Sequence, residues 1–515
     1  MKTGYIGTFF TPFFSTGSGN LKKSHNFVES AFRPGFPFYF IFLLFPFAAG
    51  MVSLSNHYFF VPEKLPPLVS QQGIQFYFFH LFVILSAMLG LLKGRLVPVR
   101  VILLMAMLSL VLIGITTIYA VGHPAKSEAE NIDSTGQPVQ PSSGQSAELA
   151  GLWKKQISFA AIGIAALILV NLVNCRRLGE AGYWIYAGVL VLLMVLLISR
   201  YIVELPFAPE TKGAYRWIKI SIAGFDLPSI QPSELCKPAY IIALAWYLRY
   251  RSNYRKFASL VGPFVLTLLP MVLILLEPDL GTVLLMLPVF LTMLFVAGAK
   301  VKHLALILLI ALIISPLMWL KMQPYQRLRI SSVLLQSEWL RQKTEQHPAL
   351  GKLLVGGTFS SKKWKENWGY HLIRSKYAIA SGGTTGYGLG RGPFLKYEFL
   401  PERHNDFIFS IIAHQWGFFG CVGVLLLYII LLVCGLGIAG QTTDPFGRLL
   451  AAGIAAMFAI QLIVNVAMTL GLTPITGITL PFISYGGSSL AVSMLCVGLL
   501  NNVGRQWPFT VAPRR

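Results

Sequence analysis

The sequence predicts an all-α polytopic membrane protein with about twelve transmembrane helices. Of 515 residues, 55% are hydrophobic and only 12% are charged, and the mean hydropathy is +0.64. Largely apolar runs of roughly 17 to 28 residues recur along the chain, and helices of this length cross a bilayer with their backbone hydrogen bonds satisfied. A water-soluble domain does not have this composition.

The apolar runs define the predicted spans and orient the chain. The spans are residues 37–53, 73–92, 99–121, 157–174, 183–203, 232–249, 258–277, 281–298, 303–320, 408–435, 448–470 and 485–503. An even number of spans puts both termini on one side of the membrane. Short loops rich in Lys and Arg, such as that from Lys93 to Arg100, fall on the same side. The positive-inside rule therefore makes that side cytoplasmic.

The segments outside this core are predicted from composition. Residues 1–36 lack the charged, apolar and cleavage regions of a signal peptide, so we predict a cytosolic tail. Residues 37–95 add two N-terminal helices, and residues 506–515 form a second cytosolic tail. Residues 122–155 are of low complexity and predict a flexible loop. The five cysteines lack metal-like spacing, which disfavours disulfides and zinc.

A long basic loop covers residues 321–405 and is predicted to be extracytoplasmic. It contains 14 Lys and Arg residues against 5 Glu, and loops of this length escape the positive-inside rule. A basic surface beside a bilayer attracts phosphate, from a lipid headgroup or a lipid diphosphate. The alternative is solvated charge on a disordered insertion, mainly at residues 340–365. Nucleic acid explains the net charge of +22 poorly, because the basic residues are scattered over loops on both faces.

Several ionisable residues lie within or beside the spans, where charge is costly and is often functional. In "QPSELCKPAY", Pro232 is predicted to start a helix, and Glu234 and Lys237 share one face. These two residues either line a polar cavity or form an ion pair that packs helices together. In "EPDLGTVLL", Asp279 lies in a turn between two spans that is broken by Pro and Gly.

Two further segments add polar groups to the same region. "ERHNDFIFSIIAHQWG" is predicted to begin a helix capped by Asn405 or Asp406. "LTPITGITLPFISYGGSSL", residues 472–490, predicts a broken or re-entrant segment, because its prolines and glycines interrupt a helix. These features predict an extracytoplasmic polar cavity in a helical bundle, which suits either a transporter or an enzyme that acts on a lipid.

A set of motifs gives a resemblance to a known family. They are "GAYRWIKI…LPSIQPSELCKPA", "EPDLGT", "PYQRLRI", "YHLIRSKYAIASGGTTGYGLGRG", "YEFLPERHNDFIFSIIA" and "TPITGITLPFISYGGSSL". In order and spacing they resemble the SEDS family of bacterial cell-wall proteins, which act in shape, elongation, division and sporulation. The resemblance covers residues 99–505 and is closer to the RodA members than to the FtsW members.

The resemblance implies a peptidoglycan glycosyltransferase that polymerises lipid II on the outer face and works with a class B penicillin-binding protein. No cofactor is certain, and a divalent cation, Mg²⁺ or Mn²⁺, is considered. Such a reaction needs a general base near the attacking hydroxyl and cations near the departing undecaprenyl diphosphate. The predicted diphosphate contacts are Arg327, Arg329, Lys237, Arg374 and Lys376. The other predicted cavity residues are Glu234, Asp279, His404, Asp406, Ser484 and Tyr485. Anchoring of the cations to anionic lipid headgroups is the alternative.

The chain departs from the family in the long loop, where the resemblance implies an essential Asp and residues 321–405 contain none. Counting from "PYQRLR" places that Asp near Trp339, beside Glu338. Counting back from "GY" at residues 369–370 places it near Trp364, two residues from Glu366. A Glu can serve as the base, because its pKa of about 4.3 is close to the 3.9 of Asp. We therefore predict Glu366 as the base, with Glu338 second and another group such as Glu234 third.

A second departure concerns the helix after the loop. The resemblance implies Glu-Glu-x-Gly where this chain has His414, Gln415, Trp416 and Gly417, so two acids are absent from the cavity helix. These differences leave two alternatives to the enzyme: a catalytically inactive scaffold of cell-wall assembly, and a flippase or transporter of a lipid-linked precursor.

Overall fold

The computed structural model describes residues 94–124, 149 and 151–506, except for 211–213, 220, 223–224, 227–228, 250–256, 367, 398–399 and 401–402. The predicted spans at 37–53 and 73–92 and both predicted tails, apart from Gln506, lie outside the described residues.

The described chain is almost entirely helical. Its first part contains α1 (Val97–Gly122), α2 (Leu152–Leu172), α3 (Cys175–Glu180), α4 (Gly182–Tyr201), β1 (Ser221–Ile222), β2 (Phe225–Asp226), α5 (Pro232–Leu248), α6 (Val261–Leu276), α7 (Leu280–Val296) and α8 (Val301–Lys321). Its second part contains α9 (Pro324–Ser331), α10 (Glu338–Gln346), α11 (Pro348–Val355), α12 (Ser361–Glu366), α13 (Trp368–Ser381), α14 (Pro393–Lys396), α15 (Ile408–Gln441), α16 (Pro445–Thr469) and α17 (Gly487–Arg505). Two 3₁₀ turns cover Phe257–Leu260 and Leu334–Gln336.

Seven of these helices are long and apolar enough to cross a membrane: α1, α2, α4, α8, α15, α16 and α17. The apolar helices α6 and α7 are shorter. Helix α5 has 17 residues, and its polar side chains Ser233, Glu234 and Lys237 are buried. These ten helices match the ten predicted spans between residues 99 and 503, with ends that differ by a few residues. The protein is therefore a multi-pass helical membrane protein, as predicted. We call the side of the bundle that carries residues 322–407 the loop face.

The helices pack around α5, most of whose residues are buried. Helix α5 contacts α4, α6, α7, α16 and α17, and α17 packs along α2. Helix α8 differs, because Ile307 is its one buried residue and its other side chains are half-buried or exposed. An apolar helix with that surface faces lipid on most of its circumference.

Strands β1 and β2 form a small antiparallel hairpin on the loop face, with Ser221 opposite Asp226. A bridge between Ile218 and Ile230 extends the pairing toward the start of α5. The hairpin thus holds residues 214–219 above the ends of α6 and α7, where Arg216 contacts the backbone.

Helix α15 is broken where it meets a glycine-rich loop, residues 382–392. Gly417 has φ 60° and ψ −158°, which is outside the helical region and open only to glycine. The freed backbone pairs with the loop: the Gly388 amide donates to the Gln415 carbonyl over 2.8 Å, and the Phe418 amide donates to the Gly383 carbonyl over 2.9 Å. The loop therefore satisfies backbone groups that the break in α15 exposes.

Replacing Gly417 with alanine is expected to lower the free energy of unfolding by about 2 kcal/mol or more. The reason is that a Cβ there would lie 2.5 Å from the Gly386 nitrogen, in a backbone conformation that alanine avoids. Gly437→Ala in the same helix is the matched control, because a Cβ at Gly437 meets nothing within 4 Å. Thermal unfolding in detergent measures both variants, and equal midpoints would contradict the expectation.

Candidate functional site

A buried ion pair lies in the first turns of α5. Pro232 occupies the first turn of the helix, as predicted, and Lys237 Nζ donates to Glu234 Oε1 over 2.7 Å. Both side chains are buried, at 10% and 4% exposure for Glu234 and Lys237. Each charge offsets the cost of burying the other, so the sequence correctly placed them on one face.

Asp279 joins α5 to α7. Its carboxylate accepts hydrogen bonds from the Ser233 hydroxyl over 3.0 Å and the Thr282 hydroxyl over 2.9 Å. The Thr282 amide also donates to it over 3.3 Å, so Asp279 caps the N-terminus of α7. The predicted broken turn is therefore a cap, and the cap fixes the carboxylate beside the ion-pair helix.

Glu277 lies two residues before Asp279 and was not predicted as a site residue. Its side chain is buried, and Oε1 has no hydrogen-bond partner among the described residues. Glu277 is therefore a buried acid next to the Asp279 cap, and its backbone carbonyl accepts a hydrogen bond from Arg216.

Arg216 crosses from the hairpin to the same turn. Its guanidinium donates to the Glu277 carbonyl over 3.0 Å and to the Pro278 carbonyl over 2.6 Å. Arg216 lies in the motif "GAYRWIKI", which carried the resemblance, yet the residue itself was not selected. The motif was thus the signal by which it could have been found.

Arg329 on α9 is a half-buried cation of the long loop that is influenced by charged residues of other segments. Burial lowers the pKa of the Arg329 guanidinium, while the negative charges of Asp406 and Asp279 raise it and the positive charge of Arg216 lowers it. Arg329 therefore lies within electrostatic range of all three residues. Helix α9, the turn before α7 and the segment before α15 meet here, which makes a mixed-charge cluster on the loop face.

The segment before α15 is bound to the broken segment after α16. The Ser484 hydroxyl donates to the Asn405 carbonyl over 2.8 Å, and the Tyr485 amide donates to the His404 carbonyl over 2.9 Å. Residues 471–486 are non-helical and largely buried, as their prolines and glycines predicted. The predicted residues His404, Asp406, Ser484 and Tyr485 are thus brought together.

Two buried amides complete this arrangement and were not predicted. Asn465 Nδ2 donates to the Asp406 carbonyl over 3.1 Å and to the Ile478 carbonyl over 2.7 Å. Gln156 Nε2 donates to the Ser484 carbonyl over 3.2 Å. Both amides lie inside apolar helices, so an isolated amide in an apolar run was the available signal.

The predicted cap of α15 is wrong. The helix begins at Ile408 with Phe407 as its cap, and no side chain caps it. Neither Asn405 nor Asp406 takes that role, because both lie in the turn 403–407 and the residue directly before the helix is Phe407. The Asp406 carboxylate instead acts on Arg329.

Three of the residues predicted to contact the diphosphate make contacts within the protein, outside the cluster around Arg329. Arg327 donates to the Leu320 carbonyl over 2.8 Å, so it ties α9 to the end of α8. Lys376 Nζ donates to Gln336 Oε1 over 2.9 Å on the surface. The Arg374 guanidinium lies 5.1 Å from the centre of the Tyr370 ring.

The two predicted bases lie on short helices of the loop. Glu338 begins α10, with a side chain 73% exposed and 3.8 Å from Arg341. Glu366 ends α12 and is exposed. Trp364, near one of the two positions to which the resemblance assigns the absent Asp, is 2% exposed, and the Arg341 guanidinium lies 5.0 Å from its ring centre. The catalytic role of Glu366 or Glu338 stays a prediction.

Other features of the described residues lie outside this cluster. No group of three or more His, Cys, Asp and Glu side chains could hold a metal ion in the part of the chain that the structure describes. A cavity of about 730 Å³ opens on the side opposite the loop face, between the ends of α2, α5, α16 and α17. None of the predicted site residues lines it.

Comparisons with known proteins agree with the motifs. A model of the FtsW, RodA and SpoVE family, described as a cell cycle protein, matches residues 138–507. The peptidoglycan glycosyltransferase RodA of Treponema pallidum is 32% identical over 453 residues, covering 78% of this chain and 96% of the relative. The probable peptidoglycan glycosyltransferase FtsW of Geobacter metallireducens is 35% identical over 355 residues, covering 68% and 84%.

One solved structure shares the fold. It is described as structural coordination of polymerization and crosslinking by a peptidoglycan synthase complex. Its matching chain superposes with a TM-score of 0.58 at 28% identity, covering 78% of this chain and 96% of that chain.

Proposed function

This chain belongs to the FtsW, RodA and SpoVE family of cell cycle proteins, and we propose that it is a peptidoglycan glycosyltransferase that polymerises lipid II. The loop face is then the outer face of the bacterial cytoplasmic membrane, and both termini are cytoplasmic. The basic short loops on the opposite side support this orientation. The names of the T. pallidum and G. metallireducens relatives support the activity.

The proposal rests on the charges of Arg329, Asp406 and Asp279, which lie near the buried pair Glu234 and Lys237. In lipid II polymerisation a sugar hydroxyl attacks an anomeric carbon, and a lipid diphosphate leaves. The hydroxyl must lose a proton to a base, and the departing diphosphate is stabilised by a fixed cation. Arg329 is a half-buried cation whose pKa is influenced by the charges of Asp406 and Asp279, so both kinds of group are available in one region.

A class B penicillin-binding protein is the proposed partner, because it would cross-link the glycan product. The solved structure with the shared fold supports this, since it is described as a complex that coordinates polymerization and crosslinking. A divalent cation, Mg²⁺ or Mn²⁺, is also proposed, and chelation during the assay tests it.

The second proposal is a catalytically inactive scaffold of cell-wall assembly. The absence of any Asp from residues 321–405 favours it, because the resemblance implies an essential Asp in this loop. The third, a flippase of the lipid-linked precursor, has the broken segment 471–486 in its favour.

Glu366→Ala is expected to lower the rate of lipid II polymerisation by about 10²-fold or more, because removal of a general base typically has this effect. The measurement is glycan chain formation by the purified full chain with its cognate partner. Glu345→Ala is the matched control, since Glu345 lies on the same loop and accepts a hydrogen bond from the Ser361 amide.

Each remaining outcome decides between the proposals. Loss of activity in Glu338→Ala alone would assign the base to Glu338. Full activity in both variants would move the base into the cluster of Asp279 and Asp406. Absence of polymer from the unmodified protein, together with lipid II transfer across vesicles, would favour the flippase, and absence of both activities would favour the scaffold.

A further inference from the structure

The long loop contains a basic surface next to the end of α8, and this surface includes both proposed bases, Glu338 and Glu366. We define the loop belt as residues 334–366, which comprise the 3₁₀ turn Leu334–Gln336 and helices α10, α11 and α12. It contains neither Arg329 nor any residue of the cluster around Asp406.

The loop belt is attached to the end of a membrane helix. Trp319 Nε1, in the last turn of α8, donates to the Leu353 carbonyl of α11 over 2.8 Å. Arg327 joins the same two helices, since it donates to the Leu320 carbonyl over 2.8 Å and to the Lys352 carbonyl over 3.5 Å. Helix α11 is therefore held at the level of the last turn of α8.

That level is the boundary between lipid and water. Helix α8 is apolar over Val301–Lys321 and almost all of its surface is uncovered by protein, so lipid surrounds it. Its last residue, Lys321, is charged and exposed, which places the end of the helix among the headgroups. The loop belt consequently lies beside the headgroup layer.

The exposed side chains of the loop belt are of the kinds found at that boundary. Leu334, Trp339 and Leu353 are 56%, 65% and 50% exposed. Lys343 Nζ lies 4.7 Å from the ring centre of Trp339, so a cation and an aromatic ring share the outer side of α10. Exposed Trp and Leu next to Lys are typical of segments that lie on a membrane surface.

Two acids of the loop belt have partners within the belt, whereas several of its lysines are exposed to solvent. Of its three acids, Glu338 pairs with Arg341 at 3.8 Å, Glu345 accepts from the Ser361 amide at 3.2 Å, and Glu366 is exposed. Lys352, Lys362 and Lys363 are exposed. The surface therefore presents net positive charge outward, which matches anionic lipid headgroups.

We propose that the loop belt lies in the headgroup layer of the membrane and binds anionic phospholipid headgroups through Lys352, Lys362 and Lys363, with Trp339 inserted among the lipids. The inference does not rest on the proposed function, because its tests measure lipid contact and lipid binding and not polymerisation.

The first test measures the depth of Trp339. The full chain and a Trp339→Phe variant are reconstituted in nanodiscs of phosphatidylcholine with phosphatidylglycerol, and the fluorescence difference between them reports Trp339. Lipids brominated near the headgroup end of the acyl chain are expected to quench this difference, and aqueous iodide is expected to leave it largely unchanged. Quenching by iodide without quenching by brominated lipid would overturn the proposal.

The second test measures the lipid specificity. Native mass spectrometry of the full chain with phosphatidylglycerol is compared for two triple variants at Lys352, Lys362 and Lys363. The Lys→Gln variant is expected to bind phosphatidylglycerol on the order of tenfold more weakly, and the charge-conserving Lys→Arg variant is expected to bind like the unmodified protein. Unchanged binding in the Lys→Gln variant would overturn the proposal. Loss of undecaprenyl diphosphate binding alone would also overturn it and assign the lysines to the lipid diphosphate.

Discussion

Lys237→Met is expected to lower the free energy of unfolding by about 3–5 kcal/mol, because it leaves the Glu234 carboxylate buried without its partner. The Lys237 ammonium lies 2.7 Å from that carboxylate, and both side chains are buried within α5. A single buried charge in a membrane bundle has neither water nor a counter-ion to stabilise it. The measurement is unfolding by SDS titration in mixed micelles.

The double variant Glu234→Gln/Lys237→Met is the control for this prediction. It removes both charges together, so it is expected to recover most of the lost stability. If the single and double variants unfold at the same SDS fraction, the pair contributes no coupling energy and the prediction is wrong. A double variant that is stable but inactive would show that the pair serves the cavity as well as helix packing.

Arg329→Ala is expected to lower the rate of lipid II polymerisation by about 10²-fold, with thermal stability close to that of the unmodified protein. The size follows from removing one fixed charge that stabilises a leaving group. The structural reason is that the guanidinium on α9 lies within electrostatic range of Asp406, Asp279 and Arg216. Initial rates with the cognate partner measure the effect.

The conservative variant separates charge from geometry at this position. Arg329→Lys retains a cation but loses the planar guanidinium, so an intermediate rate is expected. Lys302→Ala is the control, because Lys302 is exposed in the first turn of α8, at the end of that helix away from the loop face. A normal rate in Arg329→Ala would remove this residue from the proposed mechanism.

The long loop retains part of the family motif and departs from the family in the rest of its sequence. The residues after position 369 match the family motif closely, whereas the preceding helices α10, α11 and α12 form a basic belt attached to α8. Trp364, near one of the two positions to which the resemblance assigns an acid, is buried beside Arg341.

The site could be predicted in part from short-range patterns. The spacing of Glu234 and Lys237 predicts a shared helix face, and the structure forms the ion pair. The break at residues 472–490 follows from prolines and glycines and is observed. In contrast, the cap of α15 was wrong, because Asp406 interacts with Arg329, which is far away along the chain.

Hydropathy and motif order were sufficient to predict the membrane class, the ten described spans and the family, because both depend on residues that are neighbours along the chain. Which charges lie near one another follows instead from the three-dimensional packing. It brought Arg329 of the loop to Asp406, placed Arg216 against the turn of Glu277, and kept Arg374 and Lys376 at other contacts. Interactions between distant segments depend on how helices pack and where a long loop attaches, and no local pattern encodes that attachment.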